Sequence, residues 1–258
     1  MIPKIIHYIW LGSSEYPAIV QQCIASWKRY LPDYELRLWT DDTLREMKSA
    51  WLDECVASGK WAFAADFIRL WAIREYGGIY LDTDCLVCRS FDDLLSNKMF
   101  IGRENSVHID GRRTENYLTS CCFGAEAHHP FIEQCYAYYA GKHFVTSTDK
   151  SLPISLQYDL RIINYVQSEL AKSIGYNALL SADGRQSLSF GVEVYPKEYF
   201  DIGNASNGGY CSHLALGSWR ENVCEPEKTT WQYKIRWRVE ALLRRMVERC
   251  GYLMVKKM

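Results

Sequence analysis

Apolar and polar positions along this chain follow two periods, near 3.6 and near 2. Residues 5–11 (IIHYIWL) form an apolar run closed by Gly12, which predicts a buried strand and its turn. Residues 18–30 carry Ile19, Cys23 and Trp27 at helical spacing, and Pro32-Asp33 stops that helix. Residues 34–39 alternate as a second strand. Thr40-Asp41-Asp42 is then expected to cap a helix running to about residue 51. Between 61 and 73 nearly every residue is apolar, and Asp66 and Arg69 are the only charges, the pattern of a helix buried on all sides. Three apart, those two share one helical face. Gly77-Gly78 ends the helix, and Ile79-Tyr80-Leu81 reads as a short buried strand.

Further on, residues 91–95 suggest a turn or short helix, and strands are expected at 99–103 and 118–124. The intervening ENSVHIDGRRTENY, residues 104–117, is charged and poor in core formers, so it reads as a surface loop suited to acceptor recognition or to a lid. Helices are expected at 131–139 and 159–170, a strand near 192, and a flexible loop at 201–209 with three glycines and two asparagines. The alternation of strands and helices indicates an α/β chain with a mostly parallel sheet flanked by helices.

The last segment is a single amphipathic pattern. Trp231, Ile235, Val239, Leu242, Met246, Cys250 and Leu253 make one stripe, and residues 228–258 hold nine lysines and arginines against two glutamates. Such a helix either packs on the domain or lies on an anionic bilayer. The expected organisation is therefore a domain over 1–225 and a basic helical extension over 226–258.

Composition narrows the class. With 258 residues, 48% apolar and 14% aromatic, the chain suits a packed globular enzyme, and a net charge of −1 argues against a nucleic-acid partner. The opening MIPKIIHYIW lacks the ordered regions of a signal peptide, so the ten cysteines are expected to be reduced and core-filling in a cytoplasmic protein. Cys85 and Cys88 form one CxxC, but strand alternation points them to opposite faces and no second pair completes a zinc site. No apolar run approaches the roughly 20 residues needed to span a membrane.

The candidate chemistry begins at Asp82-Thr83-Asp84. The short strand delivers these carboxylates at its carboxyl end, the edge where open α/β sheets place ligands. Two carboxylates so placed suit Mg2+ or Mn2+, which bind oxygen ligands and keep positions open for phosphate oxygens. A lone Asp-x-Asp is common in solvated turns; the buried Asp/Arg helix and glycine pair ahead of it are not. A second site lies at 210–219, YCSHLALGSW. There His213 is either a satisfied core residue or a third metal ligand, and Gly217-Ser218 offers donors to a diphosphate. Trp10, at the end of the first strand, is either core or a platform for a planar base, and His7 reads as a structural histidine.

The segment Ala65-Asp66-Phe67-Ile68-Arg69 … Tyr76-Gly77-Gly78-Ile79-Tyr80-Leu81-Asp82-Thr83-Asp84 resembles the signature of DXD-motif sugar transferases. The fit is to the family-32 glycosyltransferases of capsular polysaccharide synthesis and yeast mannosylation, with the clostridial glucosylating toxins as structural relatives. The opening Ile2-Pro3-Lys4-Ile5-Ile6-His7 … Trp10-Leu11-Gly12, the VEVYPKEYF run at 192–200 and the closing His213 … Gly217-Ser218-Trp219 are also similar to family elements. The family's asparagine near residue 120 is absent, since Ser120-Cys121-Cys122 stands there, and no sugar contact is transferred to it.

The resemblance implies a GT-A-like fold and a retaining hexosyltransferase that uses Mn2+ or Mg2+. On it, Trp10 stacks the base of a nucleotide-sugar, with a UDP-sugar expected, and Asp66 and Arg69 hold ribose or donor-sugar hydroxyls. Asp82 touches the sugar, Asp84 and His213 bind the metal, Ser218 meets phosphate and Trp219 lines the site. Asp82, Asp84 and Arg69 form the catalytic set. The acceptor would be a saccharide or lipid-linked oligosaccharide in surface polysaccharide synthesis, reached from the cytoplasm, with peripheral contact at the inner face of the plasma membrane if the basic helix binds lipid. Two rivals stay open: a haloacid-dehalogenase-like phosphatase with Asp82 as nucleophile, although Leu86 stands where that class has a hydroxyl residue, and a non-catalytic sugar-nucleotide-binding module.

Overall fold

The computed structural model describes residues 1–12, 15–110 and 113–216. Ser218, Trp219 and the expected helix at 226–258 lie outside the described residues. Contacts divide the chain into two units, one of Met1–Lys142 with Arg161–Leu216 and one of His143–Leu160 with Gly217–Met258.

In the first unit, β1 (Ile5–Ile9), α1 (Ala18–Tyr30) and β2 (Glu35–Trp39) form a right-sized strand–helix–strand start, with β2 parallel to β1. The single helix expected to follow is instead a 3-10 turn, Asp41–Glu46, and then α2 (Ala50–Ala57). Met47 is extended and buried between them, and Ser49 caps the second piece by accepting from the Leu52 N–H at 3.4 Å. Two competing N-caps thus split one apolar pattern.

α3 (Trp61–Tyr76) buries Ala64, Phe67, Ile68, Leu70, Ala72 and Ile73, and β3 (Gly78–Leu81) follows with all four residues buried. The corner between them needs glycine twice. Gly77 and Gly78 have φ of 62° and 98°, and a Cβ on Gly78 would stand 2.7 Å from the Ile5 carbonyl oxygen. His7 closes the corner: its Nε2 donates to the Gly77 carbonyl at 2.8 Å while its Nδ1 accepts from the Trp39 indole at 3.2 Å. Burial lowers its pKa to about 4, so the ring is neutral, as a histidine acting as a hydrogen-bond acceptor must be.

β4 (Cys85–Val87) is short. β5 (Met99–Asp110) and β6 (Arg113–Ala125) are long antiparallel partners with irregular register between Ile101 and Val107. Residues 104–110 and 113–117 are therefore strand rather than the expected loop. Their polar groups are satisfied in place: Glu115 pairs with Lys172 at 2.6 Å, and the Asn116 amide donates to the Glu104 and Ser106 carbonyls. Composition alone cannot show such pairing. α4 (Pro130–Ala137) comes next. In the second unit, α5 (Ile154–Gln157) is one turn, with Phe144 stacked on Tyr158 and an antiparallel bridge from Val145 to Tyr158.

Back in the first unit lie α6 (Ile163–Lys172), β7 (Gln186–Ser187), β8 (Val192–Tyr195), α7 (Lys197–Phe200) and β9 (Cys211–His213). The seven-stranded sheet has the order β2-β1-β3-β6-β5-β8-β7. Its pairings are parallel at β2·β1, β1·β3 and β5·β8 and antiparallel at the other three, so the sheet is mixed rather than mostly parallel. The difference lies in β6, which returns directly from β5 as a hairpin and so enters the sheet antiparallel. β4 and β9 make a separate two-stranded antiparallel sheet. No helix among the described residues is long and apolar enough to cross a membrane.

Candidate active site

β1, β2 and β3 run parallel and end together, so residues just past Ile9, Trp39 and Leu81 share one sheet edge. Asp82 leaves β3 at that edge, with its N–H held by the Cys121 carbonyl at 2.8 Å. Its Oδ1 accepts from the Tyr80 hydroxyl at 2.7 Å and lies 3.4 Å from Arg69 Nη1.

Arg69 is only 5% exposed, and its guanidinium is almost fully engaged. Nη2 pairs with Asp66 Oδ1 at 3.1 Å, Nη1 donates to the Ser120 carbonyl at 2.8 Å, and Nε donates to the Ala65 carbonyl at 3.2 Å. The Tyr80 ring lies 4.6 Å from the guanidinium carbon. Burial works against this charge, yet Asp82, Tyr80 and Asp66 together hold the Arg69 pKa above its ordinary value. Asp66 uses its other oxygen to accept from the Ile163 N–H at 3.1 Å, at the first turn of α6. Burial raises the Asp66 pKa to about 6, with Arg69 opposing it. The pair thus braces Asp82 from behind, leaving few free donors or acceptors for a ligand.

Asp84 begins the turn into β4, and β9 brings His213 opposite Cys85. The chain is pinned here by the Leu214 N–H on the Asp84 carbonyl and the Leu216 N–H on Asp84 Oδ2, both at 3.0 Å. His213 Nε2 then lies 3.3 Å from Asp84 Oδ1 and 3.9 Å from Asp82 Oδ2. One ligand atom from each of Asp82, Asp84 and His213 falls within 4.8 Å of the others. Two carboxylates and an imidazole are the donor set of a Mn2+- or Mg2+-class ion, so these residues fit the cation that the motif implies. Burial opposes ionisation of Asp84, but His213 and the Leu216 N–H outweigh it and lower the pKa.

Sequence reasoning missed the residue behind His213. Asp201 Oδ1 lies 3.5 Å from His213 Nδ1, its carbonyl accepts from the His213 N–H at 2.8 Å, and its other oxygen accepts from the Asn105 N–H. It had been absorbed into a flexible loop, although it directly follows the YPKEYF run. Burial opposes a proton on the imidazole; the Cys121 sulfur, Asp201 and Asp84 outweigh it and raise the His213 pKa. The carboxylates carry that direction, because burial pushes the Cys121 thiol well up and keeps it neutral. Tyr80 was likewise read only as strand, and its hydroxyl is one of the groups that fix Asp82.

Trp10 follows β1 at the same edge, its N–H donating to the Trp39 carbonyl at 3.0 Å. The half-buried indole packs edge-on against Tyr16, with ring centres 5.0 Å apart, and its buried Nε1 has no hydrogen-bond partner among the described residues. The structure therefore assembles Asp66, Arg69, Asp82, Asp84 and His213 into one cluster, with Trp10 on the same sheet edge.

Residues 17–101 match the family model described as "Glycosyltransferase sugar-binding region containing DXD motif", so the chain carries such a region. Over 140 residues, 52% of this chain and 36% of the other, it is 31% identical to inositol phosphoceramide mannosyltransferase 3 of Schizosaccharomyces pombe. A mannosyl phosphorylinositol ceramide synthase of Saccharomyces cerevisiae is 28% identical over 139 residues, 51% of this chain and 34% of that one. The matched region thus spans about a third of these relatives' length. Among solved structures, the PaToxG glycosyltransferase is similar at a TM-score of 0.46 and 19% identity, covering 67% of this chain and 69% of that one.

Proposed function

We propose that this chain is a metal-dependent retaining glycosyltransferase that moves a hexose from a nucleotide-sugar to a saccharide acceptor. The observation that carries the reading is the meeting of Asp82, Asp84 and His213 at the carboxyl end of β3, with both aspartates inside the segment that matches the sugar-transferase model and His213 brought to them from β9.

In this reading Asp82, Asp84 and His213 hold a Mn2+ or Mg2+ ion, which when bound supplies Lewis-acid stabilisation to a leaving diphosphate. The rest is done by the chain. Arg69 and Tyr80 fix the Asp82 rotamer, so its outer oxygen is presented without reorganisation. Asp66 keeps Arg69 aligned and anchors α6. Trp10, half-buried at the same sheet edge, offers a ring face to the base. Ser218 and Trp219, outside the described residues, are assigned to phosphate and to the site wall on sequence resemblance alone.

Retention follows in this proposal by a front-face route. Asp82 Oδ1 is committed to Tyr80 and Arg69, which blunts it as a covalent nucleophile, and the same contacts weigh against the phosphatase alternative. The lipid named in the fungal relatives, with the basic composition of 228–258, supports a lipid-linked acceptor; that it is met from the cytoplasm at the inner face of the plasma membrane is part of the same proposal.

Calorimetry with UDP-glucose, UDP-galactose, UDP-GlcNAc and GDP-mannose, each with Mn2+ and with chelator, tests the reading. Metal-dependent binding of one donor is expected. Mannose has first claim from the relatives' names, and a uracil base from the resemblance at Trp10. Binding of none, with turnover of a phosphomonoester, would replace the transferase by the phosphatase. Inversion of the anomeric centre in an NMR assay would remove the front-face route.

A further inference from the structure

His213 has two ring nitrogens, and each faces a different set of ligand atoms. The Nε2 side meets the carboxylates of Asp82 and Asp84. The Nδ1 side meets Asp201, and there Cys121 Sγ, an Asp201 carboxylate oxygen and a His213 ring nitrogen also lie within 4.8 Å of one another. The two groups differ in kind. Oxygen-rich sites suit hard cations, whereas a thiolate, an imidazole and a carboxylate suit a thiophilic ion of the zinc class.

We propose that Cys121, Asp201 and His213 form a second metal site, for a Zn2+- or Cd2+-class ion, on the opposite side of the imidazole from the Asp82–Asp84 pair. The elements that hold it are rigid. Cys121 sits in the middle of β6, Asp201 directly follows α7, and His213 is in β9, paired with β4. Of the other buried thiols of the neighbourhood, Cys85 Sγ meets the Cys121 carbonyl at 3.4 Å and neighbours the Cys121 thiol, and Cys211 Sγ meets the Phe200 carbonyl at 3.1 Å. Cys121 Sγ contacts Thr119 Oγ1 at 3.0 Å and the Phe200 carbonyl at 3.6 Å, and it also neighbours Cys85 and His213. His213 is about a quarter exposed on its side chain, which gives an ion its way in.

Binding replaces the Cys121 S–H bond and the His213 Nδ1–H bond by bonds to the metal and releases both protons to solvent. With a metal on Nδ1, the ring proton stays on Nε2, facing Asp84. Occupancy of the soft site therefore withdraws the nitrogen ligand from the carboxylate site, and the two ions oppose one another. This inference stands whether or not the chain transfers sugar.

The test is titration of the reduced full chain with Cd2+, followed by the sulfur-to-metal charge-transfer absorption. Free Mn2+ is followed in parallel by its EPR signal. One equivalent of Cd2+ should produce the band and release bound Mn2+. Cys121→Ser should lose the band while still binding Mn2+, and Cys88→Ser and Asp84→Asn should keep the band. Should Cys121→Ser fail to fold, Asp201→Ala carries the test, with a Cd2+ affinity at least tenfold weaker expected. The proposal is overturned if wild type gives no band, if the band survives Cys121→Ser, if it vanishes in Cys88→Ser, or if Asp201→Ala binds Cd2+ unchanged. Release of Mn2+ without a band would put Cd2+ on Asp82 and Asp84 and overturn it equally.

Discussion

Asp84, in the turn just before β4, and His213, the last residue of β9, are far apart in the chain, yet His213 Nε2 lies 3.3 Å from Asp84 Oδ1. The contact is pinned at one end of the β4·β9 ribbon, where the Leu214 and Leu216 N–H groups bind the Asp84 carbonyl and carboxylate. Asp84→Ala should therefore abolish Mn2+ binding, read by EPR of the free ion.

Asp201 orients the imidazole from the other side, the arrangement by which an outer carboxylate fixes the tautomer of a ligating histidine. Asp201→Asn should weaken Mn2+ by roughly 10- to 100-fold. An unchanged affinity would make Asp201 a bystander.

Arg69 is the charge on which the buried cluster depends. Arg69→Met leaves the Asp66 carboxylate buried without its partner, at a cost of roughly 3–5 kcal/mol. Urea unfolding measures it. Adding Asp66→Asn should recover part of the loss, because the stranded charge is gone; no recovery would mean that packing of the guanidinium, not its charge, matters.

Two buried groups make stability depend on pH in opposite directions. His7 has its pKa lowered by burial from 6.5 to about 4, so between those values the unfolded chain holds more protons and stability falls as pH falls. Asp66 has its pKa raised by burial from 3.8 to about 6, so the folded chain holds more protons there and stability rises as pH falls. Each is worth roughly 3 kcal/mol over its window. Asp66→Asn should thus lose stability on acidification from pH 6.5 to 4.5 more steeply than wild type. Parallel curves would refute the burial argument for Asp66.

Gly78 has no room for a side chain. Gly78→Ala places a Cβ 2.7 Å from the Ile5 carbonyl at a φ of 98°, and should cost about 2 kcal/mol or more in urea unfolding. An alanine variant as stable as wild type would show that the α3–β3 corner relaxes freely.

What the sequence alone determined is local. A continuous apolar run with charges three apart is enough to specify α3 and the common face of Asp66 and Arg69, and the glycine pair is enough to specify the corner that sends β3 to Asp82. The tertiary structure decided what depends on distant pairing. Residues 104–117 look like a loop because the segment is charged and poor in core formers, yet 104–110 and 113–117 pair as strands, with Lys172 as the partner of Glu115 and Asn164 donating to Glu104. Asp201 likewise looked, by composition, like part of a glycine-rich loop. Periodicity reports which face of an element is apolar, whereas a buried polar group is stable only against a specific distant partner, and that partner is chosen when the chain folds.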